Sequence, residues 1–177
     1  QIHGRSGAPR PDRAQPATAM AKQRSYDAVI AAPFGRLGIT LRDGLLADID
    51  FLDGARPLRA PRTAAARNIC RKLHAYLRNP RLRFNLSLAI DGTDFQQRVW
   101  NALRRIPAGK VLSYGKLARQ LKTGPRAVGN ACRANPIPVV IPCHRVVAAN
   151  GRGGFMGKTG GKALAIKDWL LTHERGR

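Results

Sequence analysis

Acidic side chains are scarce in this chain. Among its 177 residues, ten Asp and Glu face 32 Lys and Arg, which leaves a formal net charge of +22 at pH 7. A charge excess of this size favours binding to a polyanion, because cations that neutralise phosphates release condensed counterions. The alternative is a charge that serves solubility alone. We expect a polyanionic partner, although composition does not separate a nucleic acid from an anionic membrane surface.

Long apolar runs and paired cysteines are also missing. No stretch reaches the roughly 18 consecutive apolar residues of a membrane-spanning helix, and the first residues lack the apolar centre of a secretory signal. The cysteines are Cys70, Cys132 and Cys143, an odd number that does not indicate a disulfide framework. Because free thiols suit a reducing compartment, we expect a cytoplasmic protein, associated with the nucleoid if its source is bacterial.

The chain divides into three segments by composition. Residues 1–23 are rich in Pro, Ala, Gly and Arg and show no periodicity, so we predict a disordered tail. Hydrophobic residues make up 44% of the chain, which is enough for packed domains in the remainder. The dipeptide Asp91-Gly92 marks a boundary between an amino-terminal α/β domain over residues 24–90 and a second domain over residues 91–177.

Turn signals and apolar alternation organise the first domain. Turns at residues 33–35 and at Asp43-Gly44 separate short apolar runs, and Asp-Gly between such runs is a strong hairpin signal. Residues 63–78 carry apolar side chains at helical spacing, and residues 84–90 alternate as a strand does. The sequence therefore predicts a small sheet with one helix.

Metal binding is suggested at one place in this domain. Cys70 and His74 lie four residues apart on the predicted helix, so both side chains could reach one ion. Two ligands do not make a site, and no second pair lies nearby in the sequence. We therefore expect neither a metal nor another cofactor.

Helical signals organise the second domain. A helix is predicted to begin near Thr93 or Asp94, both of which are suitable caps. A second helix begins after the cap Ser113, and a third begins at Pro125 and ends before Pro136. A short Gly-containing turn joins the last two helices. This arrangement is typical of a helix-turn-helix, and the basic charge fits DNA.

The second helix of this predicted helix-turn-helix separates its side chains by type. The apolar side chains share one side, and three polar side chains share another: Arg126, Asn130 and Arg133. One interpretation of the polar side is an ordinary solvated face. The other is a ridge that faces DNA, which Gly129 would keep slim enough to enter a groove.

The segment IPVVIPCHRVV, residues 137–147, places a cysteine between a proline and a histidine. In one interpretation, residues 137–141 form a buried strand and Cys143 is a small hydrophobic residue that closes it. In the other, Cys143 is a nucleophile whose thiol is activated by the base and the cation that follow it, His144 and Arg145. The segment alone does not decide between the two.

Four motifs in order resemble the alkylguanine-DNA alkyltransferases, also called methylated-DNA–protein-cysteine methyltransferases. Between Phe95 and Glu174 they read FQQRVW, IPAGKVLSYGKLA, RAVGNACRANPIPVVIPCHRVV and KDWLLTHE. The resemblance implies a repair protein that moves the alkyl group from oxygen-6 of guanine, and from oxygen-4 of thymine, irreversibly to Cys143. It implies a monomer that flips the damaged base out of duplex DNA, uses no cofactor and has no membrane partner.

The same resemblance implies a fold and a set of chemical roles. The fold is α/β, with a small ribonuclease-H-like amino-terminal domain followed by a mostly helical, winged-helix-like domain that contains the helix-turn-helix. Cys143 is the alkyl acceptor, His144 takes its proton through a bridging water, and Glu174 orients the imidazole. Asn135 braces the turn that carries Cys143.

Further residues take their roles from the resemblance. Tyr114 donates a hydrogen bond to the flipped guanine, and Arg126 fills the gap that the base leaves in the stack. The other residues assigned to the substrate pocket are Cys132, Val146, Phe155 and Met156. The residues assigned to DNA binding are Arg126, Asn130, Arg133 and Gly115.

The chain departs from the family pattern at two points. The turn before Arg126 is shorter than expected for the family. Residues 151–166 form an enlarged loop where the family has a compact loop with glycines around an aromatic residue, and either Phe155 or Met156 takes the place of that aromatic. The range of alkyl groups that the pocket admits therefore stays open.

Two other classes of protein share part of this pattern. Alkyltransferase-like proteins keep the helix-turn-helix and the pocket but lack the acceptor cysteine, whereas residue 143 is a cysteine here. A cysteine hydrolase would use Cys143 with His144. That class explains neither the net charge nor the basic helix, so alkyl transfer is the favoured interpretation.

Overall fold

The computed structural model describes residues 24–176. The predicted disordered tail, residues 1–23, lies outside the described residues. Within them the chain adopts an α/β fold with a small antiparallel sheet and five α-helices. None of the helices in this described part is long and apolar enough to cross a membrane.

The antiparallel sheet forms from the two predicted hairpins. Its strands are β1 (Ala28–Ala32), β2 (Gly35–Arg42) and β3 (Leu45–Leu52), in that order across the sheet. Asp43 and Gly44 both have positive φ, 52° and 76°, which is the backbone of the tight turn that Asp-Gly favours between twisted strands. The hairpin prediction is confirmed.

Helix α1 (Ala64–Arg78) packs against β1 and confirms the predicted helix. The Thr63 hydroxyl accepts a hydrogen bond from the Ala66 amide and so caps the first turn. The Asn79-Pro80 pair ends the helix, because a residue before proline is biased out of the helical region.

The predicted strand over residues 84–90 is wrong. The segment is extended, but it pairs with β3 at a single bridge between Leu46 and Leu88. Its side chains alternate between half-buried and exposed over residues 84–88. The Asn85 carbonyl accepts a hydrogen bond from Lys72 Nζ (2.9 Å) in place of a strand partner. Alternation requires only an extended backbone, and it does not require a ladder.

The carboxyl-terminal half is mostly helical. Its helices are α2 (Asp94–Arg104), α3 (Tyr114–Gln120), α4 (Pro125–Arg133) and α5 (Gly161–Arg175). Two short strands, β4 (Leu112–Ser113) and β5 (Val146–Val147), pair in parallel. Thr93 and Ser113 cap α2 and α3, and Pro125 opens α4, as the sequence predicts.

Residues 137–141 do not form the buried strand of the first interpretation. They make a tight buried turn in which the Ile141 amide donates to the Ile137 carbonyl (2.9 Å), and Val139 has a φ of 75°. The physical reason is proline: Pro138 and its neighbours at 136 and 142 lack the amide protons that a central strand needs.

Buried side chains of both halves form one continuous hydrophobic cluster. The Ile49 amide of β3 donates to the Pro136 carbonyl (3.0 Å), which ties the sheet to the end of α4. Trp100 of α2 donates through Nε1 to the Ala131 carbonyl (2.9 Å). The boundary between residues 90 and 91 stays a prediction.

Candidate active site and nucleic-acid interface

Cys143 lies at the bottom of a cavity of about 290 Å³. It opens a 3₁₀ turn, Cys143–Arg145, and its own exposed fraction is 3%. The cavity wall comes from α3, α4 and the loop before α5, and the residues that line it are Tyr114, Gly129, Asn130, Cys132, Arg133, Cys143, Gly154, Phe155, Met156, Gly157, Lys158 and Thr159. The cavity therefore joins the thiol to the exposed side of α4.

Asn135 holds the turn that leads to Cys143. Its Nδ2 donates to the Ile141 carbonyl (2.8 Å), and its Oδ1 accepts from the Ile137 amide (3.0 Å). The side chain is buried, so both of its polar ends are satisfied away from solvent. Through these two bonds Asn135 fixes the backbone immediately before Pro142 and Cys143.

His144 and Glu174 form a buried pair behind the thiol. His144 Nε2 lies 2.7 Å from Glu174 Oε1, and neither side chain is more than 1% exposed. His144 Nδ1 is buried and has no hydrogen-bond partner among the described residues. Because Nε2–H donates its hydrogen bond to the Glu174 carboxylate, Nδ1 is the nitrogen left to accept a proton. No hydrogen bond joins the side chains of Cys143 and His144 among residues 24–176.

The sequence predicts Arg145 as the cation that activates the Cys143 thiol. In the structure Arg145 does not have that role. Its guanidinium binds Glu174 through two hydrogen bonds, Nε to Oε2 (2.9 Å) and Nη2 to Oε1 (2.8 Å). A guanidinium fork and a carboxylate match in this bidentate geometry. Arg145 therefore neutralises Glu174.

Burial sets the protonation states of this group. Burial raises the pKa of the Cys143 thiol to about 11, although Asn135 and Lys167 oppose the shift. Burial also lowers the pKa of His144, against the pull of Glu174. Burial disfavours the charged form of Glu174 too, but hydrogen bonds from His144 and Arg145 outweigh it and hold its pKa well below the usual range. At neutral pH the thiol and the imidazole are uncharged, and the carboxylate is ionised.

Lys167 is the cation near the thiol, and sequence reasoning missed it. Its ammonium is buried and donates to the carbonyls of Val146 (2.7 Å) and Gly154 (2.9 Å). Burial lowers its pKa to about 8. In the sequence, Lys167 is distinguished only by its place in the KDW motif of α5. The residues around it do not indicate that it lies near Cys143.

Tyr114 and Val146 occupy different parts of the site. Tyr114 begins α3, lines the cavity, and donates its hydroxyl to the Gly154 carbonyl (3.4 Å). Burial raises its pKa to about 12, so the phenol keeps its proton. Val146, assigned to the substrate pocket by the resemblance, is buried in β5 and does not line the cavity.

The helix-turn-helix consists of α3, α4 and the turn at 121–124. Arg126, Asn130 and Arg133 are exposed, and the opposite side of α4 buries Val128, Ala131 and Cys132, which confirms the predicted division of faces. Glycines keep this surface open: a Cβ at Gly115 or at Gly129 would meet no atom within 4 Å. Cys132 reaches the cavity from the buried side.

The predicted loop over residues 151–166 is too long, because α5 already begins at Gly161. The loop before α5 closes the cavity opposite α4. Phe155 is 4% exposed, and its ring centre lies 5.7 Å from that of Phe51 on β3. Met156 is half-buried with a φ of 51°. Arg133 Nη2 donates to the Gly157 carbonyl at 3.5 Å, which links α4 to the loop. Both candidate residues line the cavity, and Phe155 is the one that packs into the core.

Cys70 and His74 do not face a common point. Cys70 is buried in α1, where burial raises its pKa to about 11, and His74 is exposed. Residues 24–176 hold no group of three or more His, Cys, Asp or Glu side chains that is arranged to bind a metal ion.

Comparison with known proteins identifies relatives of the chain. Residues 94–176 match the family model described as the 6-O-methylguanine DNA methyltransferase, DNA binding domain. A methylated-DNA–protein-cysteine methyltransferase of Methanosarcina acetivorans is 35% identical over 156 residues, which is 84% of this chain and 97% of that protein. One of Salmonella typhimurium is 52% identical over 91 residues, 50% of this chain and 51% of that protein. The Mycobacterium tuberculosis protein OGT, crystallised in complex with DNA, superposes with a TM-score of 0.69 at 35% identity, covering 83% of this chain and 91% of its own.

Proposed function

This chain belongs to the 6-O-methylguanine DNA methyltransferase family, and we propose that it repairs duplex DNA by moving an alkyl group to its own Cys143. The alkyl group comes from oxygen-6 of guanine, and also from oxygen-4 of thymine. One observation carries the proposal: a buried thiol lies at the bottom of a cavity that opens beside the exposed face of a helix-turn-helix. The neutral imidazole and ionised carboxylate behind that thiol supply a base for it.

DNA approaches along α4. Arg126 enters the base stack and replaces the damaged nucleotide, which must leave the duplex because its alkyl carbon is otherwise out of reach. Asn130 and Arg133 contact the DNA beside it, and Gly115 on α3 allows close approach of the backbone. The exposure of Arg126, Asn130 and Arg133 and the open space at Gly115 and Gly129 support this assignment.

Activation of the thiol requires removal of its proton. With a pKa of about 11, Cys143 is a thiol at neutral pH, and a thiol is a poor nucleophile. His144 Nδ1 takes that proton through a bridging water, and Glu174 stabilises the imidazolium that results. The unpartnered Nδ1 and the Nε2–Oε1 distance of 2.7 Å support this route.

The transfer itself is one displacement. Cys143 Sγ forms a bond to the alkyl carbon while the bond from that carbon to the guanine oxygen breaks. Guanine leaves with the electron pair as an anion and takes up a proton from water. The Tyr114 hydroxyl, which keeps its proton, hydrogen-bonds to the departing base. The product is a thioether, which has no carbonyl for water to attack. Each molecule therefore acts once and needs no cofactor.

We infer that the sheet and α1 form a ribonuclease-H-like domain over residues 24–90, and that residues 91–177 form a winged-helix-like domain. The two hairpins, and the helix-turn-helix flanked by β4 and β5, support these descriptions. Three free thiols and a strongly basic surface support a cytoplasmic monomer that associates with the nucleoid if its source is bacterial.

A titration tests the function. Increasing amounts of protein are added to a fixed amount of duplex that carries 6-O-methylguanine, and methylated base left in the DNA is measured. The number of lesions lost should equal the number of protein molecules added.

Cys143→Ser should bind the duplex and remove nothing, whereas Cys70→Ser should match the wild type. Binding without removal by the wild type would instead indicate an alkyltransferase-like protein, and repeated turnover on acyl substrates would indicate a hydrolase.

A further inference from the structure

Tyr76 connects the amino-terminal half of the chain to the carboxylate of the site. It lies on the buried side of α1 and is 1% exposed. Its ring packs against Phe84 and His173, with centres 5.2 Å and 5.5 Å away. Its hydroxyl donates to Glu174 Oε1 at 2.7 Å, across 98 positions of sequence. No feature of the sequence around Tyr76 marked it as part of the site.

Tyr76 and His144 bind the same oxygen. Glu174 Oε1 accepts from the Tyr76 hydroxyl, from His144 Nε2 and from Arg145 Nη2, whereas Oε2 accepts from Arg145 Nε. Burial and the adjacent carboxylate raise the pKa of Tyr76 far above its usual value, so its hydroxyl keeps the proton that it donates. The donor from α1 is therefore permanent over the pH range in which the protein works.

We infer that Tyr76 is a positioning residue for alkyl transfer, which fixes the Glu174 carboxylate in the orientation that holds the His144 ring. The inference rests on the proposed function and goes beyond it, because it makes a side chain of the amino-terminal half part of the machinery of the carboxyl-terminal half. A group that orients the partner of a base contributes to rate through geometry and charge, as residues behind a catalytic or metal-bound histidine do.

Loss of the hydroxyl has two consequences for His144. First, Oε1 keeps Arg145 but loses one of its three donors, so the carboxylate and the imidazole are held less rigidly and transfer slows. Second, the negative charge on Oε1 is shared with one donor fewer, so His144 protonates at a higher pH. This second effect moves the acid side of the rate profile, whereas the looser alignment of the first lowers its plateau. The other titratable and charged groups around this pair are Arg145 and Cys143 on the 3₁₀ turn and Lys167 and His173 on α5, the last of which packs against the Tyr76 ring. The substitution leaves them in place.

Single-turnover kinetics of Tyr76→Phe test the inference. Phenylalanine retains the ring that packs on Phe84 and His173 and removes only the oxygen. Because each molecule reacts once, the amplitude counts the folded, competent molecules and the rate constant reports the chemistry of those molecules alone. We expect the rate constant to fall roughly tenfold, as for one hydrogen bond to a charged group. We also expect the acid-side decline of the rate to begin at a higher pH than in the wild type.

Tyr26→Phe is the matched control. Tyr26 is also buried in the amino-terminal half, and its hydroxyl also donates to a carboxylate, Asp50 Oδ2 at 2.8 Å, but Asp50 makes no contact with the site. This variant should keep the wild-type rate constant and pH profile. An unchanged rate constant and pH profile in Tyr76→Phe would overturn the inference, and so would a loss confined to amplitude. A wild type that transfers nothing would instead refute the proposed function.

Discussion

A buried cysteine and its neighbouring histidine are both uncharged in this protein, and that pairing defines its chemistry at the residue scale. Burial raises the pKa of Cys143 and lowers the pKa of His144. A permanent thiolate would react with any electrophile that reached it, whereas a thiol beside a neutral base becomes a nucleophile only when the proton moves. The site therefore suits a protein that reacts only once, because the thiol stays unreactive until a substrate is bound.

The protonation state of His144 predicts the pH dependence of transfer. A protonated imidazole cannot accept the thiol proton, and burial places the pKa of His144 below its usual value of 6.5. The single-turnover rate constant should therefore stay level as pH falls from about 8 to the usual histidine value, and should decline only below it. Stopped reactions analysed for methylated base at each pH provide the measurement.

Two substitutions accompany that profile. His144→Gln should be slow at neutral pH, and its residual rate should rise with pH because the Cys143 thiol then ionises without a base. His74→Gln, on the exposed side of α1, should reproduce the wild-type profile. A wild-type rate that already declines well above pH 6.5 would contradict the assignment of a neutral, buried base.

The sequence shows which residues adjoin Cys143 along the chain, but it does not show which distant residues lie near it in space. The run PCHR placed Cys143 beside His144 without any structure. Lys167 reaches the site because α5 packs against the 3₁₀ turn, and Tyr76 on α1 reaches it through Glu174 of α5. The local sequences of both residues read as ordinary helix. Arg145 was expected to lower the pKa of the Cys143 thiol. Its planar guanidinium instead binds the Glu174 carboxylate, whose two oxygens match it better than a single sulfur does.

At the scale of elements, α4 presents Arg126 at its amino-terminal end, exposed and without an ion-pair partner among residues 24–176. Arg126→Ala should slow repair about tenfold, since stacking and cation–π contact of a side chain inserted among bases is worth on the order of 1–2 kcal/mol. Overall affinity for duplex should fall less, because other cations supply most phosphate contacts. Repair kinetics and equilibrium binding are measured on the same duplex.

Arg71→Ala is the control for that experiment. Arg71 is also exposed, on α1, and its side chain hydrogen-bonds to Asn68. The substitution therefore removes the same charge from a residue that does not line the cavity. It should leave the repair rate unchanged. If Arg126→Ala repairs at the wild-type rate, then Arg126 is only part of a solvated face.

The loop before α5 assigns different roles to its two candidate residues. Phe155→Ala removes a buried ring that contacts Phe51, and should lower the free energy of unfolding by roughly 3–5 kcal/mol. Met156→Ala removes a half-buried wall of the cavity, so it should cost less stability and speed transfer of bulky alkyl groups relative to methyl. Denaturant unfolding and competition between methylated and bulkier 6-O-alkylguanines measure the two effects. Equal losses of stability in both variants would contradict this division.

Capping residues and prolines made the helix ends predictable from the sequence. The alternation of apolar and polar side chains over residues 84–90 led to a wrong strand prediction. Thr93, Ser113 and Pro125 act through local hydrogen bonds or fixed dihedrals, so their effect is encoded in a few residues. Residues 84–90 have the side-chain pattern of a strand, but strand formation also needs a free sheet edge in register. That condition depends on distant parts of the chain, where β3 offers one bridge only.

At the scale of the whole molecule, the charge excess is left largely unneutralised. Six of the nine acidic residues within residues 24–176 form ion pairs, namely Asp48, Asp50, Asp53, Asp91, Asp168 and Glu174. Most of the 32 Lys and Arg residues therefore remain available to phosphates. Duplex binding should depend little on sequence and should weaken steeply with salt, by roughly 10³-fold between about 50 and 200 mM.

Equilibrium titrations of two unrelated duplexes over a series of salt concentrations measure this dependence. The slope of log affinity against log salt concentration reports the number of phosphates contacted. The two duplexes should give similar slopes. Affinity that is constant across the series would remove the electrostatic basis of DNA binding by this protein.

We propose that Cys143, and no other thiol of the protein, accepts the alkyl group. This proposal is tested most directly by peptide mass spectrometry of the protein after reaction with excess duplex that carries 6-O-methylguanine. Cys132 lines the same cavity and is the natural competitor, so Cys132→Ser is analysed in parallel. We expect a mass gain of one methylene group on the peptide that contains Cys143, at one equivalent per molecule, in both the wild type and Cys132→Ser. Methyl on Cys132 or Cys70, or an unmodified protein after the lesions are gone, would contradict it.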